Sequence, residues 1–292
     1  MIDDMRAHPR FIDALHQQAR EFLAHFDDDP ALHRTFIDVG RLVIGALALH
    51  LDATGGVTHR RLRTLAGEGR VLSAGRATAL LMQLRRLRYL EPVAESAKGA
   101  AKRYLPTLRL VEGFRERIRL HLSALALVTP DIAPLIEQLG DARVFQAFVG
   151  HFGERVLAIT RLRRVDITGF NVLIAHDVGV ALAFVLFEKS ASEAYCRLHG
   201  SPIVSVAGLA KRFGASRTQI LRLLRDTENA GFIRRGPTQA ALAVEPAFHD
   251  AFQTFWAIYF IALASSASPT LRAISADSGV APSSPQRAVA VS

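Results

Sequence analysis

Apolar side chains recur at helical spacing over most of the chain, and short polar stretches separate these runs. Phe11, Leu15, Phe22 and Phe26 share one face, which predicts an amphipathic helix over 11–26. Further helices are predicted over 35–51, 59–66, 76–89, 107–128, 131–139, 144–160, 206–213, 217–229 and 246–264. The chain is therefore expected to be mainly α-helical.

Two segments share one order of elements: a short helix, a turn, a second helix and a two-stranded hairpin. Thr58 and Ser205 are predicted to cap the short helices, and Ser73 and Ser216 the second helices, because such side-chain oxygens accept from free N–H groups. The hairpin strands are predicted over 91–93, 102–105, 232–233 and 241–244. This order is that of a winged helix-turn-helix. The predicted fold class is mainly α with small β-hairpin wings, as tandem winged helix-turn-helix repeats with helical dimerisation-like arms.

Both segments belong to a unit that is present twice in the chain. Matched positions lie 139 to 141 residues apart: Asp38 with Asp177, Arg76 with Arg217, and Pro106 with Pro246. A nearly constant period over most of a sequence indicates an internal duplication. The predicted organisation is a first repeat over 8–130, a connector over 131–142, a second repeat over 143–265 and a disordered tail over 266–292.

Positive charge is concentrated in the same part of each repeat. The 292 residues carry a formal net charge of +9, with a pI of about 10.5. Residues 58–119 contribute +10 and residues 200–240 contribute +5, so the rest of the chain is acidic at −6. This distribution indicates an anionic partner such as nucleic acid.

Long polar side chains project from the second helix of each basic segment. Arginine and glutamine contact guanine, adenine and phosphate in the DNA major groove, whereas the alternative for such a helix is an ordinary solvated face. The candidate residues on these helices are Arg76, Thr78, Gln83, Arg85, Arg86 and Arg88 in the first repeat, and Arg217, Thr218, Gln219, Arg222 and Arg225 in the second. Phosphate contacts are also expected from Arg60, Arg61, Arg63, Lys98, Lys102, Arg103, Arg234 and Arg235.

Two aspartates interrupt apolar helices, and each is followed two residues later by a glycine. We expect Asp38 and Asp177 to pair with an arginine or to cap a neighbouring backbone, with a ligand or proton site as the alternative. Gly40 and Gly179 would let two helices approach closely.

No sequence pattern is typical of an enzyme, a cofactor site or a metal site. The chain lacks a Ser-His-Asp grouping and a phosphate-binding glycine loop, and its histidines lack the spacing of zinc ligands. The single cysteine, Cys196, cannot form an internal disulfide. The apolar stretches over 170–187 and 252–264 are expected to be buried interface helices and not membrane spans. The N-terminus lacks a secretory signal, which predicts a cytoplasmic protein.

With its segments over 57–105 and 204–244, the repeated unit of about 140 residues resembles the multiple-antibiotic-resistance regulator (MarR) family. The resemblance covers about residues 8–265. It implies a dimer of DNA-binding units knitted together by terminal helices, here within one chain. It also implies a small aromatic effector between a DNA-binding unit and the arm helices, with Phe145, Phe148, His151, Phe152 and Arg155 as candidate contacts.

These observations predict a sequence-specific, double-stranded-DNA-binding transcriptional regulator that is a monomer acting as a pseudo-dimer. Its two recognition helices would enter successive major grooves about 34 Å apart. Two alternatives remain open. A plasmid-type replication initiator with tandem winged helices would bind iterated repeats. A winged-helix protein-interaction scaffold would bind its partner with less dependence on salt.

Overall fold

The computed structural model describes residues 1–28, 39–68, 73–93, 101–161, 169–191, 205–236 and 242–277. The described chain is mainly helical with small antiparallel sheets, which confirms the predicted mainly-α class. The predicted features at Asp38, Lys98 and Cys196 lie outside the described residues.

The first half of the chain contains a three-stranded antiparallel sheet in the order β1–β3–β2. Its elements are α1 (Ile2–Ala7), α2 (Phe11–Asp28), α3 (Val39–Ala53), β1 (Val57–Thr58), α4 (His59–Glu68), α5 (Ala74–Arg86), β2 (Leu90–Pro92), β3 (Arg103–Pro106) and α6 (Leu108–Leu125). In this sheet Val57 lies opposite Tyr104, and Leu90 lies opposite Pro106. Neither α1 nor β1 is predicted from the sequence, because both are too short to produce a periodic pattern.

The second half contains a two-stranded hairpin in which Ile233 lies opposite Val244. A 3₁₀ turn (Pro130–Ile132) leads into α7 (Ala133–Gln138), α8 (Ala142–Arg161), α9 (Asn171–Ile174), α10 (Gly179–Ala191), α11 (Val206–Phe213), α12 (Arg217–Asn229), β4 (Ile233–Arg235), β5 (Leu242–Val244) and α13 (Pro246–Asp277). The predicted interface helix over 170–187 is divided into α9 and α10. Gly179 permits this break, because a Cβ there would lie 1.7 Å from the carbonyl oxygen of Leu173.

The C-terminal helix α13 has 32 residues, so the prediction of a disordered tail from 266 is wrong over 266–277. Ser266 and Thr270 are fully buried there, and their hydroxyls donate to the carbonyls of Ala262 and Ser266 at 2.7 and 2.8 Å. The helix α1 and the short turns before α8 pack against α13. This tertiary burial outweighs the Ser-, Ala- and Pro-rich composition. Among the described helices, α13 is long and apolar enough to cross a membrane, by length and composition alone.

The arm helices of the two repeats pack in a reciprocal pattern. In the first repeat α2 packs against α6, and in the second repeat α8 packs against α13. Two of these helices also contact the other repeat: α2 packs against α10, and α8 packs against α3. His50 Nδ1 on α3 donates to the Gly150 carbonyl on α8 at 2.9 Å, and His16 Nδ1 on α2 lies 2.7 Å from Glu188 Oε1 on α10. Each repeat therefore supplies one helix to the core of the other.

Candidate nucleic-acid interface

The two basic segments form two lobes: the first lobe is residues 57–106 and the second lobe is residues 205–244. In each lobe a serine caps the second helix. Ser73 Oγ accepts from the Arg76 N–H at 3.2 Å, and Ser216 Oγ accepts from the Gln219 N–H at 3.1 Å. The buried positions of α5 and α12 follow the same spacing after the cap: Ala77, Leu80, Leu81 and Leu84 in the first lobe, and Ile220, Leu223, Leu224 and Thr227 in the second.

This correspondence corrects the register of the predicted repeat. Ser73 corresponds to Ser216, an offset of 143 residues, so Arg76 is equivalent to Gln219 and not to Arg217. At the same offset, Arg88 and Gly231 both follow the helix in the left-handed conformation, with φ of 58° and 74°. A repeat that differs in loop length cannot be aligned by matching residue types alone.

The prolines after the hairpins are also not equivalent. Pro106 ends β3, whereas Pro246 begins α13. The equivalent backbone bonds are made one residue after each hairpin strand: the Thr107 N–H donates to the Tyr89 carbonyl at 3.0 Å, and the Glu245 N–H donates to the Phe232 carbonyl at 2.9 Å.

In the first lobe, seven of the predicted DNA-contacting side chains are exposed. They are Arg60 and Arg63 on α4, Arg76 and Arg86 on α5, Arg88 just after α5, and Lys102 and Arg103 at β3. Burial raises the pKa of Asp52, and the positive charge of Arg103 partly opposes this shift.

Other predicted side chains of the first lobe have contacts within the protein. Arg61 donates to the carbonyls of Gly56 and Thr54 at 2.7 and 3.0 Å, so it holds the turn before β1. The Thr78 hydroxyl donates to the Ala74 carbonyl at 3.0 Å. Gln83 and Arg85 are half-buried.

In the second lobe, Arg217, Thr218 and Arg225 are exposed on α12. Gln219 instead completes a capping box, in which its Oε1 accepts from the Ser216 N–H at 2.8 Å. Leu221 is a large apolar residue, yet its side chain is 42% exposed, so it lies on the outer face of the helix with the arginines.

Three arginines of the second lobe that are predicted to contact DNA are paired with acidic side chains. Arg222 Nε lies 3.8 Å from Asp226, and Arg234 Nε lies 3.2 Å from Glu245. Arg235 Nε donates to Glu228 Oε2 at 2.6 Å, and hydrogen bonds from Arg235 lower the pKa of Glu228. By contrast, no described carboxylate forms an ion pair with Arg85, Arg86 or Arg88 of the first lobe.

A cavity of about 630 Å³ lies behind α12, and it is not predicted from the sequence. Asp177 of the α9–α10 turn lines it as an exposed side chain, not in the arginine pair or backbone cap that we expected. His176 also lines it, with Nε2 3.0 Å from Asp226 Oδ2 on α12. Arg41 comes from α3 of the first repeat and Arg222 from α12, so the cavity touches both repeats. Only the tertiary fold brings these distant residues together.

The aromatic residues proposed to contact an effector lie elsewhere. Phe145, Phe148 and Phe152 are buried in the core. Phe148 stacks on Phe152 at 5.9 Å between ring centroids, and Phe152 meets Tyr259 edge-on at 5.9 Å. Arg155 is exposed. These phenylalanines are therefore packing residues of α8.

Within the described ranges, no group of three or more His, Cys, Asp or Glu side chains is arranged to hold a metal ion. Comparison of the chain with models of protein families, with curated proteins and with solved structures found no match. The function must therefore be inferred from the lobes themselves.

Proposed function

We propose that this chain is a sequence-specific, double-stranded-DNA-binding transcriptional regulator that acts as a single-chain pseudo-dimer. In this proposal each lobe is a winged helix-turn-helix, α5 and α12 are the recognition helices, and the hairpins are the wings. The observation that carries the proposal is the reciprocal packing of α2 with α10 and α8 with α3. Such reciprocity is the arrangement of a two-fold dimer, in which the same pair of surfaces meets twice.

The exposed arginines support duplex DNA as the partner. Arg76 and Arg217 lie in the first turns of α5 and α12, the part of a recognition helix that contacts base edges. Arg225 lies two turns further along the exposed face of α12. Arg60 and Lys102 flank the first recognition helix, where phosphate contacts would fix the protein on the duplex.

Selection of bound sequences from a random duplex pool tests this proposal. A single site with two half-sites is expected, because the two lobes are held together by the arms. Enrichment of iterated direct repeats would favour the replication initiator. Binding that scarcely changes with salt, or no enrichment at all, would contradict DNA recognition and favour a protein-interaction scaffold.

The free protein is expected to be a monomer, because the second repeat already supplies the surfaces of a dimer partner. Light scattering at low micromolar concentration should give a mass near 31.9 kDa. A mass near twice this value would mean that the repeats do not replace a second subunit.

A small aromatic effector remains part of the proposal, and we assign it to the cavity behind α12. Its volume of about 630 Å³ lies within the usual range of small-molecule sites. Arg41 and Arg222 line it together with Asp177 and Asp226, and Phe213 supplies an apolar wall. An aromatic carboxylate would compete with Asp226 for Arg222. Aromatic carboxylates are expected to raise the melting temperature, and R222A should reduce this shift. A thermal-shift screen without any stabilisation would contradict an effector of this class.

We further propose that the protein is cytoplasmic and that α13 is a core helix. Phe248, Phe252 and Phe260 on α13 are fully buried against protein. A helix whose apolar face is already covered by α8 and α1 has little apolar surface left for lipid. Fractionation of cells with the protein in the membrane pellet would contradict this assignment.

A further inference from the structure

The corner between the recognition helix and the wing differs between the two lobes. In the first lobe this corner is an open groove of about 450 Å³ between α5 and β2. It is lined by Met82, Arg85, Arg86, Arg88, Leu90, Glu91 and Pro92. Three of these side chains are cationic and one is acidic, so the groove is positive.

The second lobe fills the same corner with an ion pair. At the offset of 143 residues, Arg85 and Pro92 correspond to Glu228 and Arg235. Arg235 binds Glu228 through its backbone N–H at 3.1 Å and through its guanidinium Nε at 2.6 Å. The first lobe has an arginine where the second lobe has the acid, and a proline where the second lobe has the base, so this ion pair does not form in the first lobe.

Arg85 is a half-buried cation that forms no ion pair with any acid among the described residues. Its guanidinium carbon lies 5.2 Å from the centroid of the Tyr104 ring, and its Nη1 lies 3.5 Å from the sulfur of Met82. Its Nε is buried and has no hydrogen-bond partner in the part of the chain that the structure describes. A partly desolvated guanidinium without a counter-charge favours binding of an oxyanion from outside the protein.

Arg88 is held in an unfavourable conformation at the rim of this groove. Its φ of 58° lies in the left-handed region, where glycine is favoured, and the second lobe has Gly231 at this position. The Thr107 hydroxyl holds this turn by donating to the Arg88 carbonyl at 2.9 Å. An arginine kept where glycine would be less strained indicates a role for its side chain.

We infer that this groove is an anion site of the first lobe that binds a backbone phosphate of duplex DNA, and that the second lobe lacks this site. The inference rests on the proposed function, because it assigns a part of the same interface. Arg85 and Arg88 both line the groove, and two guanidinium groups suit the spread charge of a phosphodiester. Glu91 at the exposed edge limits how many phosphates the groove can hold. The charges of this groove therefore suit one phosphate better than the several carboxylates of an acidic peptide.

The R88G variant separates binding from stability. Glycine relieves the left-handed strain and removes a cation, so the melting temperature should rise while affinity for a random-sequence duplex falls about three- to tenfold at low salt. The slope of log affinity against log salt should decrease by about 1. A residue with a purely structural role would not change these two properties in opposite directions.

The R85E/P92R variant places the acid and base of the second lobe in the first lobe and is expected to close the groove. Its duplex affinity should fall by about tenfold or more, again with a shallower salt slope. R143A is the control, because Arg143 is an exposed arginine on α8 outside both lobes, and it should keep the wild-type slope. Anisotropy with a labelled duplex measures all three variants.

The possible results differ in what they overturn. Wild-type duplex binding with unchanged affinity and slope in R88G and R85E/P92R would overturn the phosphate site and leave the proposed function standing. Absence of wild-type duplex binding at low salt would overturn both. Displacement of the duplex by polyglutamate at lower concentration than by unlabelled duplex would overturn the phosphate assignment in favour of an acidic peptide.

Discussion

The R85A/R86A variant is expected to bind every duplex sequence about tenfold more weakly at low salt, with a salt slope smaller by about 2. Both arginines lack an acidic partner among the described residues, so their full charge is available to phosphate. The matched double variant R234A/R235A should have a smaller effect, because Glu245 and Glu228 already neutralise these arginines.

Base preference is expected to depend on a different residue. Arg217 is exposed at the first position of α12, where R217A should relax preference in one half-site by about 1–3 kcal/mol. The Gln219 side chain takes part in the capping box, so Q219A should also lower helix stability. Repeating the selection with each variant measures this. A perfectly palindromic wild-type site, or equal losses from changes in both lobes, would contradict a division of labour between the lobes.

The F184A variant is expected to lose about 3–5 kcal/mol of unfolding free energy, the largest stability effect that we predict. Phe184 on α10 is fully buried. Its ring centroid lies 4.6 Å from Phe22 of the first repeat and 4.9 Å from Trp256 on α13. The truncation therefore opens a cavity where both repeats meet, and the melting temperature should fall by about 10 °C.

Circular dichroism during thermal and urea unfolding measures this loss. One cooperative transition is expected in both the wild type and F184A, because each repeat completes the other's core. I12A is the control on α2: Ile12 is 40% exposed, so its truncation should change stability by less than about 0.5 kcal/mol. Two separate transitions, with only one shifted by F184A, would mean that the repeats fold independently.

The sequence predicted the helix caps of each lobe correctly. The caps Thr58, Ser73, Ser205 and Ser216 are all observed accepting from the N–H three residues later. A cap depends on a side chain and a backbone group a few residues apart, so the sequence contains the whole interaction. The exposed arginines of α5 and α12 followed from helical periodicity in the same way.

The pattern of apolar and polar residues in the sequence did not predict contacts between distant residues. The pairs of Arg234 with Glu245 and Arg235 with Glu228 distinguish the second lobe from the first, yet both lobes present similar runs of arginine. Leu221 matches a core position by residue type, but the orientation of α12 on its lobe exposes it.

The sequence by itself determined the helical class, the two lobes and the caps, because these depend on interactions within a few residues of chain. Only the tertiary structure decided the offset of 143 between α5 and α12, the helical order of 266–277 and the reciprocal exchange of α2 and α8. The physical reason is burial: Ser266 and Thr270 are ordered by the helices that cover them, and the charge left free on each lobe depends on which acids the fold brings within reach.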